Sequence, residues 1–401
     1  MTRRGRVALA LGAGLYVVAW LTGSPALYPA AVGMLLAPPL AWVWLALAPR
    51  PSRLTRGAGR GEHLEGDDVE VELELDVDLG VLPRAPVVAR ERLSKLGARE
   101  TKLRRRGRRL GARYLLPSLS RGRYAIESAH AVLHDPFGLA TRSVDLTAPG
   151  TLLVYPRLVA LETLFSDSGA ALADGRRLLM RRPSGFELHS VRDYERGESL
   201  RRVHWPSTAK RGSLMVKELE DAPRDEVAVV LDARANGAPA SAFDAQVRAA
   251  GSILRAHVKR SRRSVLLVNG ASQELLRANG VDDWGPALEL LAAAEPDGNR
   301  AVELLLADEA SLVARALELA LVTSALTPGL VERVVQRALA RRHVSVVYVD
   351  AATFDGRARR REPGLLRLQA ASVPVAVIGA GDDLASVLGA APAAPAAVSR
   401  G

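Results

Sequence analysis

The chain has 401 residues, of which 48% are hydrophobic and 25% charged, so it is long and apolar enough for two or three domains with buried cores. It contains no cysteine, which excludes disulfide frameworks, thiolate metal sites and cysteine nucleophiles. The formal net charge is +11, and nearly all of the basic residues are arginine.

Two apolar runs without a charged residue open the chain, at residues 7–21 and 26–48. The second run is long enough to cross a hydrocarbon core of about 30 Å. The first has about 15 residues, so it needs a tilt, a locally thinner bilayer or an extra flanking turn. Two crossings joined by a tight turn predict a transmembrane helical hairpin, which with a basic linker occupies residues 1–60.

Basic residues flank this hairpin on both sides, and no charge lies in the turn between the runs. They are Arg3, Arg4 and Arg6 before the first run and Arg50, Arg53, Arg56 and Arg60 after the second. The positive-inside rule places both ends, and the rest of the chain, on the cytoplasmic side of an inner or plasma membrane. The alternative is a cleaved signal peptide, although the second run would still hold the product in the membrane.

The stretch 67–79 alternates between apolar and acidic residues, as in a half-buried antiparallel strand. Further strand-like runs, separated by glycine, proline and serine, lie at 85–92, 114–119, 124–133 and 152–155. Short strands at this spacing predict a β-sandwich-like domain or partial barrel over residues 61–157.

Basic residues are concentrated in the segment 84–123, where fourteen basic and two acidic residues give a net charge of +12. One interpretation is that this surface pairs with the acidic strand at 67–78 inside the fold. Another is attraction to anionic lipid headgroups, at about 1 kcal/mol per basic residue near the surface. Nucleic acid is the least favoured partner, because the only aromatic residues near this segment are Tyr114 and Tyr124.

From Val227 onward, continuous apolar strands alternate with amphipathic helices. The strands are expected at 227–232, 264–268, 317–323, 344–349 and 373–378, and the helices at 242–260, 284–294, 330–341 and 382–388. This alternation predicts a doubly wound sheet over residues 227–388. A disordered tail is predicted at 389–401.

Between the two domains, residues 187–220 are dense in charge and contain four short sequence patterns. These are Tyr-x-x-Gly at 194–197, Arg-Arg-x-His-Trp at 201–205, Ser-x-Ala-Lys at 207–210 and Leu-x-Val-Lys-Glu at 214–218. Three further phrases are Arg-Gly-Arg-Tyr at 121–124, Asp-Pro-Phe-Gly-Leu at 135–139 and Val-Tyr-Pro-Arg at 154–157. Together they resemble the domain of unknown function 58 family over residues 61–388, with the signature segment at 158–226.

The resemblance implies that the signature segment runs into a von Willebrand factor type A-like domain. The predicted fold is therefore α/β plus β: a transmembrane hairpin, a β-sandwich-like domain, then a type A-like doubly wound sheet. A helix is expected from Ser199 through Lys210, with Leu200, Val203 and Trp205 on its buried face. We interpret the segment as a packing or partner-docking surface formed by Tyr194, Gly197, Arg201, Arg202, His204, Trp205, Lys210 and Lys217.

In metal-binding type A domains the first strand ends in Asp-x-Ser-x-Ser, whose oxygen atoms hold a divalent cation. The matching positions here are Asp232, Arg234 and Asn236. The later acidic ligand of the pattern is also missing, since residues 321–328 read LVTSALTP. We therefore predict a degenerate site at Asp232, with no metal and no other cofactor, in which Asp232 pairs with Arg234 or caps a turn.

The function predicted from these features is a membrane-anchored, non-enzymatic interaction module. The resemblance implies a partner, an AAA+ ATPase of the MoxR type, and a role in complex maturation or envelope processes. One alternative is a hydrolase or transferase that uses Asp193, Glu195 or His204. The other is a lipid-associated envelope assembly factor that works through the basic segment.

Overall fold

A computed structural model gives the architecture as two compact units, Met1–Tyr155 and Pro156–Gly401. The structure describes residues 1–58, 62–77, 85–107, 109–146, 150–167, 188–193, 203–219, 227–280, 283–308, 311–359 and 361–389, and of 58, 188–193 and 216–219 only the backbone. The tail from residue 390 onward lies outside this range.

The first unit begins with two apolar helices, α1 (Arg3–Thr22) and α2 (Tyr28–Leu47), joined by a single 3₁₀ turn at Pro25–Leu27. Helix α1 ends at Gly23, whose φ of 64° is the left-handed conformation that glycine adopts without strain. Both helices are long and apolar enough to cross a membrane, so the pair fits a membrane anchor.

Small residues hold these two helices close together. Gly12 and Ala19, seven positions apart on α1, are both buried, and small residues of this kind are usual where helices pack in a membrane. A Cβ added to Gly12 would lie 3.0 Å from side-chain atoms of Met34 and Leu35. Large apolar side chains cover the exposed faces: Val7, Leu11, Val17, Trp20, Leu21, Leu36, Leu40, Trp42 and Leu47.

The rest of the first unit is built from two sheets, ordered β1-β3-β7-β6 and β2-β10-β8-β4-β5, with β9 paired to β8. The strands are β1 (Pro51–Ala58), β2 (His63–Leu64), β3 (Val69–Val77), β4 (Val87–Leu93), β5 (Gly97–Lys102), β6 (Arg104–Arg106), β7 (Arg109–Leu116), β8 (Gly122–His134), β9 (Thr141–Asp145) and β10 (Thr151–Tyr155). Apolar side chains from both sheets, together with Ala41, Leu45 and Ala48 of α2 and its end, share one core.

Residues 51–58, predicted from the sequence to belong to a linker, form strand β1 instead. This strand pairs with β3 along its whole length, and Leu54 enters the core at 6% exposure. The linker prediction was wrong because the basic residues of this stretch obscure the sequence pattern of a strand that is buried on one side only.

Arginines of the basic segment 84–123 form ion pairs with the acidic face of β3. Strand β7 runs antiparallel to β3, with Arg113 opposite Glu72. Arg109 contacts Glu74 at 2.9 Å and Asp76 at 2.8 Å, and Arg113 contacts Glu70 at 3.5 Å and also pairs with Glu72. These pairs support the interpretation in which the basic surface is matched inside the fold. Because these pairs are exposed to solvent, each contributes little to stability.

The second unit contains one six-stranded sheet in the order β15-β14-β13-β16-β17-β18, and a separate two-stranded ladder of β11 and β12. All neighbours in the large sheet are parallel except the edge strand β15. The strands are β11 (Leu188–Asp193), β12 (Met215–Leu219), β13 (Val227–Leu231), β14 (Ser264–Asn269), β15 (Gln273–Ala278), β16 (Glu318–Thr323), β17 (His343–Val349) and β18 (Val375–Ile378).

Helices cover both faces of the large sheet. Helix α3 (Trp205–Arg211) is separate from them and lies beside the two-stranded ladder. The others are α4 (Ala240–Lys259), α5 (Trp284–Ala293), α6 (Val302–Ala307), α7 (Leu312–Arg315), α8 (Pro328–Leu339), α9 (Ala351–Phe354), α10 (Pro363–Ala370) and α11 (Leu384–Gly389). Val227, Val229 and Leu231 pack with α4 and α5 on one face, whereas Ala228 and Val230 pack with α6 and α8 on the other. The fold is thus a mixed α/β architecture, and the continuous apolar strands arise because both faces are buried.

Candidate functional site

An open cleft lies where three parallel strands of the large sheet end. Its volume is about 410 Å³, and it is formed by the segments that follow β13, β16 and β17. Clefts at the carboxyl ends of parallel strands are where open α/β sheets bind ligands. The polar and charged residues among its lining are Asn236, Ser324, Thr327, Tyr348, Asp350, Asp355, Arg357 and Glu362.

Asp232 lies directly after β13, four residues before the cleft residue Asn236, with 3% of its surface exposed. Arg234 holds the carboxylate with its guanidinium: Nε lies 3.0 Å from Oδ1, and Nη2 lies 3.0 Å from Oδ2. The Thr323 hydroxyl donates to Oδ2 at 2.7 Å. The structure therefore contains the Asp232–Arg234 pair that the sequence predicts.

This pairing occupies both oxygen atoms of Asp232 with donors and places a positive charge beside the carboxylate. Burial works against the charged guanidinium, but the hydrogen bonds and charge of Asp232, with Glu303 further away, raise the pKa of Arg234 above its usual value. The guanidinium is thus charged at every physiological pH. A divalent cation at Asp232 would have to displace it.

Asn236, the third position of the Asp-x-Ser-x-Ser comparison, forms hydrogen bonds to a residue that follows β16 and to the backbone of its own loop. Its Nδ2 donates to the Ser324 hydroxyl at 2.8 Å, and its Oδ1 accepts from the Ala238 N–H at 3.1 Å. The same loop is pinned by Gly298, whose N–H donates to the Ala233 carbonyl at 2.8 Å. A side chain at Gly298 would collide with the Asn269 carbonyl, which is a constraint the sequence analysis did not detect.

The cleft is acidic. Asp350, Asp355 and Glu362 line it with one base, Arg357, so three negative charges less one positive charge leave a net of −2. Asp350 is 2% exposed and accepts from the Ala352 N–H at 3.2 Å, which caps α9. Among the described residues, no three histidine or acidic side chains come together in a metal-binding arrangement. The cleft offers charge and hydrogen-bonding groups suited to a basic ligand.

The signature segment is described only in part. Its backbone forms the antiparallel pair β11 and β12, in which Lys217 stands opposite Val191. The predicted site residues Tyr194, Gly197, Arg201 and Arg202 lie outside the described residues.

Trp205 corrects an expectation. The sequence predicts it to be buried, yet 65% of its surface is exposed, whereas Val203 is buried at 4%. The helix begins at Trp205 and not at Ser199, with Pro206 in its first turn fixing the start. Because Val203 precedes the helix and Trp205 opens it, the two side chains do not share one helical face.

The two other described site residues, His204 and Lys210, lie just before α3 and in its last turn. The His204 N–H donates to the Met215 carbonyl at 2.8 Å, which ties the start of α3 to β12. The imidazole Nδ1 lies 2.7 Å from the Ser207 hydroxyl, a contact that sequence reasoning missed although the spacing of three residues at a helix start indicates it. Lys210 is exposed in the last turn of α3, where a cation is favourable.

Comparison with known proteins gives little. No family model matches the chain, and no curated protein matches it. Among solved structures, Cwp6 from Clostridium difficile is similar at 12% identity with a TM-score of 0.16, over 82% of this chain and 38% of that chain. The chain thus spans well under half the length of Cwp6, and so low a TM-score leaves fold and function to be inferred from the residues themselves.

Proposed function

We propose that this protein is a membrane-anchored interaction module that docks a protein partner at the acidic cleft of its α/β unit. The Asp232–Arg234 pair carries the proposal. In this proposal an internal guanidinium stands where a type A domain holds its cation, so the cleft, which begins two residues later at Asn236, recognises its ligand through fixed charges and hydrogen bonds. Its net charge of −2, three acids less one base, favours a basic segment of the partner.

The same proposal places the chain in the domain of unknown function 58 family with a von Willebrand type A-like second unit. Support comes from the parallel order β14-β13-β16-β17-β18 with helices on both faces, and from the signature patterns. The partner that the resemblance implies is an AAA+ ATPase of the MoxR type. Binding of this ATPase to the cleft would act in the maturation or remodelling of a protein complex.

The anchor in this proposal is the hairpin of α1 and α2, with both soluble units on the cytoplasmic side of the inner or plasma membrane. Arginines flank the hairpin at both ends and none lies in its turn, which is the pattern of the positive-inside rule. Alkaline phosphatase fused after Gly401 is expected to be inactive, and green fluorescent protein at the same place fluorescent. An active phosphatase would reverse the orientation.

Charge reversal in the cleft tests the docking site. Glu362→Lys is expected to weaken capture of the ATPase by the full-length protein, because it removes an acidic group and repels a basic segment. Glu332→Lys is the matched control, since Glu332 lies on α8 outside the cleft, half exposed, and pairs with Arg367. Equal capture by both variants and the wild type would argue against docking at the cleft.

Trp205 is expected to contribute to the same capture without supporting the fold. Tryptophan is enriched among the hot spots of protein interfaces, and the loss of a hot spot costs at least about 2 kcal/mol, roughly a thirty-fold loss of affinity. Trp205→Ala should therefore weaken capture while changing the free energy of unfolding by less than about 0.5 kcal/mol. Leu339→Ala, at a residue that is 74% exposed, is the control expected to change neither. A large stability loss in Trp205→Ala would contradict this.

A second candidate function is hydrolysis by the signature segment, and one contact favours it. The 2.7 Å distance from His204 Nδ1 to Ser207 Oγ is short enough for an imidazole to take a proton from a nucleophilic hydroxyl. The same contact also joins the His204 side chain to the first turn of α3, which is the simpler, structural role. A fluorophosphonate probe that labels the wild type but not Ser207→Ala would favour the hydrolase.

A further inference from the structure

The turn between β8 and β9 presents the most exposed large apolar side chain among the described residues, Phe137 at 77%. The turn itself is rigid. Asp135, 3% exposed, accepts from the Phe137 N–H at 2.9 Å and from the Ala140 N–H at 2.6 Å. Gly138 adopts a φ of 69°, and its N–H donates to the Asp135 carbonyl at 3.1 Å. The phenyl ring is therefore held outward by a fixed backbone.

This turn is joined to the first residues of the hairpin. The Thr2 hydroxyl lies 2.7 Å from the Gly138 carbonyl and 2.9 Å from the Leu139 carbonyl, and the Thr2 N–H donates to the latter at 3.1 Å. Gly5 has no room for a side chain against the same Leu139 carbonyl. The turn thus lies beside the first turn of α1.

The other end of the hairpin reaches the same region through β9. The Arg142 guanidinium lies 3.5 Å from the Leu45 carbonyl and 3.4 Å from the Ala46 carbonyl, at the end of α2. Both points at which the chain would leave the membrane are therefore bonded to the loop that carries Phe137 or to the strand after it.

We propose that the 135–139 turn is a membrane-contact site in which Phe137 enters the interfacial region of the bilayer beside the hairpin. This inference rests on the proposed membrane anchor. The apolar run begins at Val7, five residues beyond Thr2, which is about 7.5 Å along a helix. The polar interface on each side of the hydrocarbon core is about 5–8 Å thick. Phe137 accordingly stands at headgroup depth, where aromatic side chains partition favourably.

Charge around the turn fits anionic lipid. The guanidinium of Arg4 lies 3.6 Å from the position that a Cβ on Gly138 would occupy, and Arg3 and Arg6 occupy the same helical turn. Basic residues near the surface attract anionic headgroups, while the phenyl ring supplies apolar contact. The turn becomes a third point of attachment, which fixes the tilt of the first unit on the membrane.

Single-cysteine labelling tests this directly, because the chain has no cysteine of its own. An environment-sensitive fluorophore is placed on Phe137→Cys of the full chain, reconstituted in vesicles of phosphatidylethanolamine and phosphatidylglycerol. Lipids brominated either near the headgroup or near the chain end report depth by quenching. The label is expected to emit at shorter wavelength and to be quenched most by bromine near the headgroup.

Two further positions calibrate the result. Leu115→Cys is the matched control, since Leu115 is also an exposed apolar residue, at 55%. Leu115 pairs with Glu70 on β3, whereas Pro51, just after the hairpin, pairs with Val77 on the same strand. Seven residues of β3 separate these two positions, so Leu115 lies about 24 Å from the end of the hairpin. Val17→Cys, ten residues beyond Val7 and thus about 15 Å deep, should be quenched most by bromine near the chain end.

The outcomes separate this inference from the anchor on which it rests. Quenching at Val17 and Phe137, with none at Leu115, supports the membrane contact. Quenching at Val17 alone overturns it and leaves the anchor standing. No quenching at Val17 overturns the anchor and the contact together. A shifted emission at Phe137 without lipid quenching means contact with protein, which also overturns the inference.

Discussion

Glu91→Ala is expected to lower the free energy of unfolding of the first unit by about 3–5 kcal/mol, the usual cost of breaking a buried ion pair from one side. Glu91 is 2% exposed and lies on β4. It accepts from Arg56 Nε of β1 at 2.5 Å and from the Tyr114 hydroxyl of β7 at 2.9 Å. The carboxylate therefore links the two sheets, and without it the largely buried Arg56 loses this ion pair.

Tyr114 strengthens this expectation, because it remains a donor to Glu91 at all physiological pH values. Burial, and then the charge of Glu91, raise the pKa of Tyr114 well above its ordinary value. Glu91→Gln keeps an acceptor for the hydroxyl but removes the charge, so it should cost less than Glu91→Ala and more than nothing.

Chemical unfolding of the full-length protein in lipid nanodiscs gives the loss, and amide hydrogen exchange in β1, β4 and β7 assigns it to the first unit. Glu100→Ala is the matched control, since Glu100 pairs with Arg90 while more than half exposed. It should cost less than about 1 kcal/mol. If Glu91→Ala costs no more than this control, the link between the sheets contributes little.

Elements whose burial leaves a regular apolar pattern, on one face or on both, were predictable from the sequence. The alternation of β3 gives its burial along Val69–Val77, and the apolar run Val227–Leu231 is buried at every residue. The exposed strands β5 and β15 were missed, because neither shows an apolar pattern: β5 is almost wholly exposed, and β15 is an edge strand. Their positions depend on pairing with a neighbour.

The candidate site was predictable only where it is local in sequence. The Asp232–Arg234 pair spans two residues, and its chemistry follows from the residue types. The acidity of the cleft arises from Asp350, Asp355 and Glu362, which meet Asn236 only because β13 and β17 are both paired to β16. A single sequence does not give that strand order, so the cleft emerged only with the fold.

Asp232→Ala is the second change with a large expected effect, about 3–5 kcal/mol of unfolding free energy in the second unit. It removes both acceptors of the Arg234 guanidinium, whose side chain is 16% exposed, and one of the two acceptors of the Thr323 hydroxyl. Arg357→Ala is the matched control, since its contact with Asp355 at 2.7 Å is exposed, and it should cost less than about 1 kcal/mol.

The double variant Asp232→Ala/Arg234→Ala distinguishes a buried ion pair from simple loss of packing. Removing both partners leaves no uncompensated buried charge, so its loss of stability should be smaller than the sum of the two single losses. Since Arg234 already supplies the cation at Asp232, added Mg²⁺ or Mn²⁺ should leave the unfolding temperature of the wild type unchanged. Additive losses would show that the pair is not coupled, and saturable Mg²⁺ binding abolished by Asp232→Ala would show that the guanidinium yields its place to a metal.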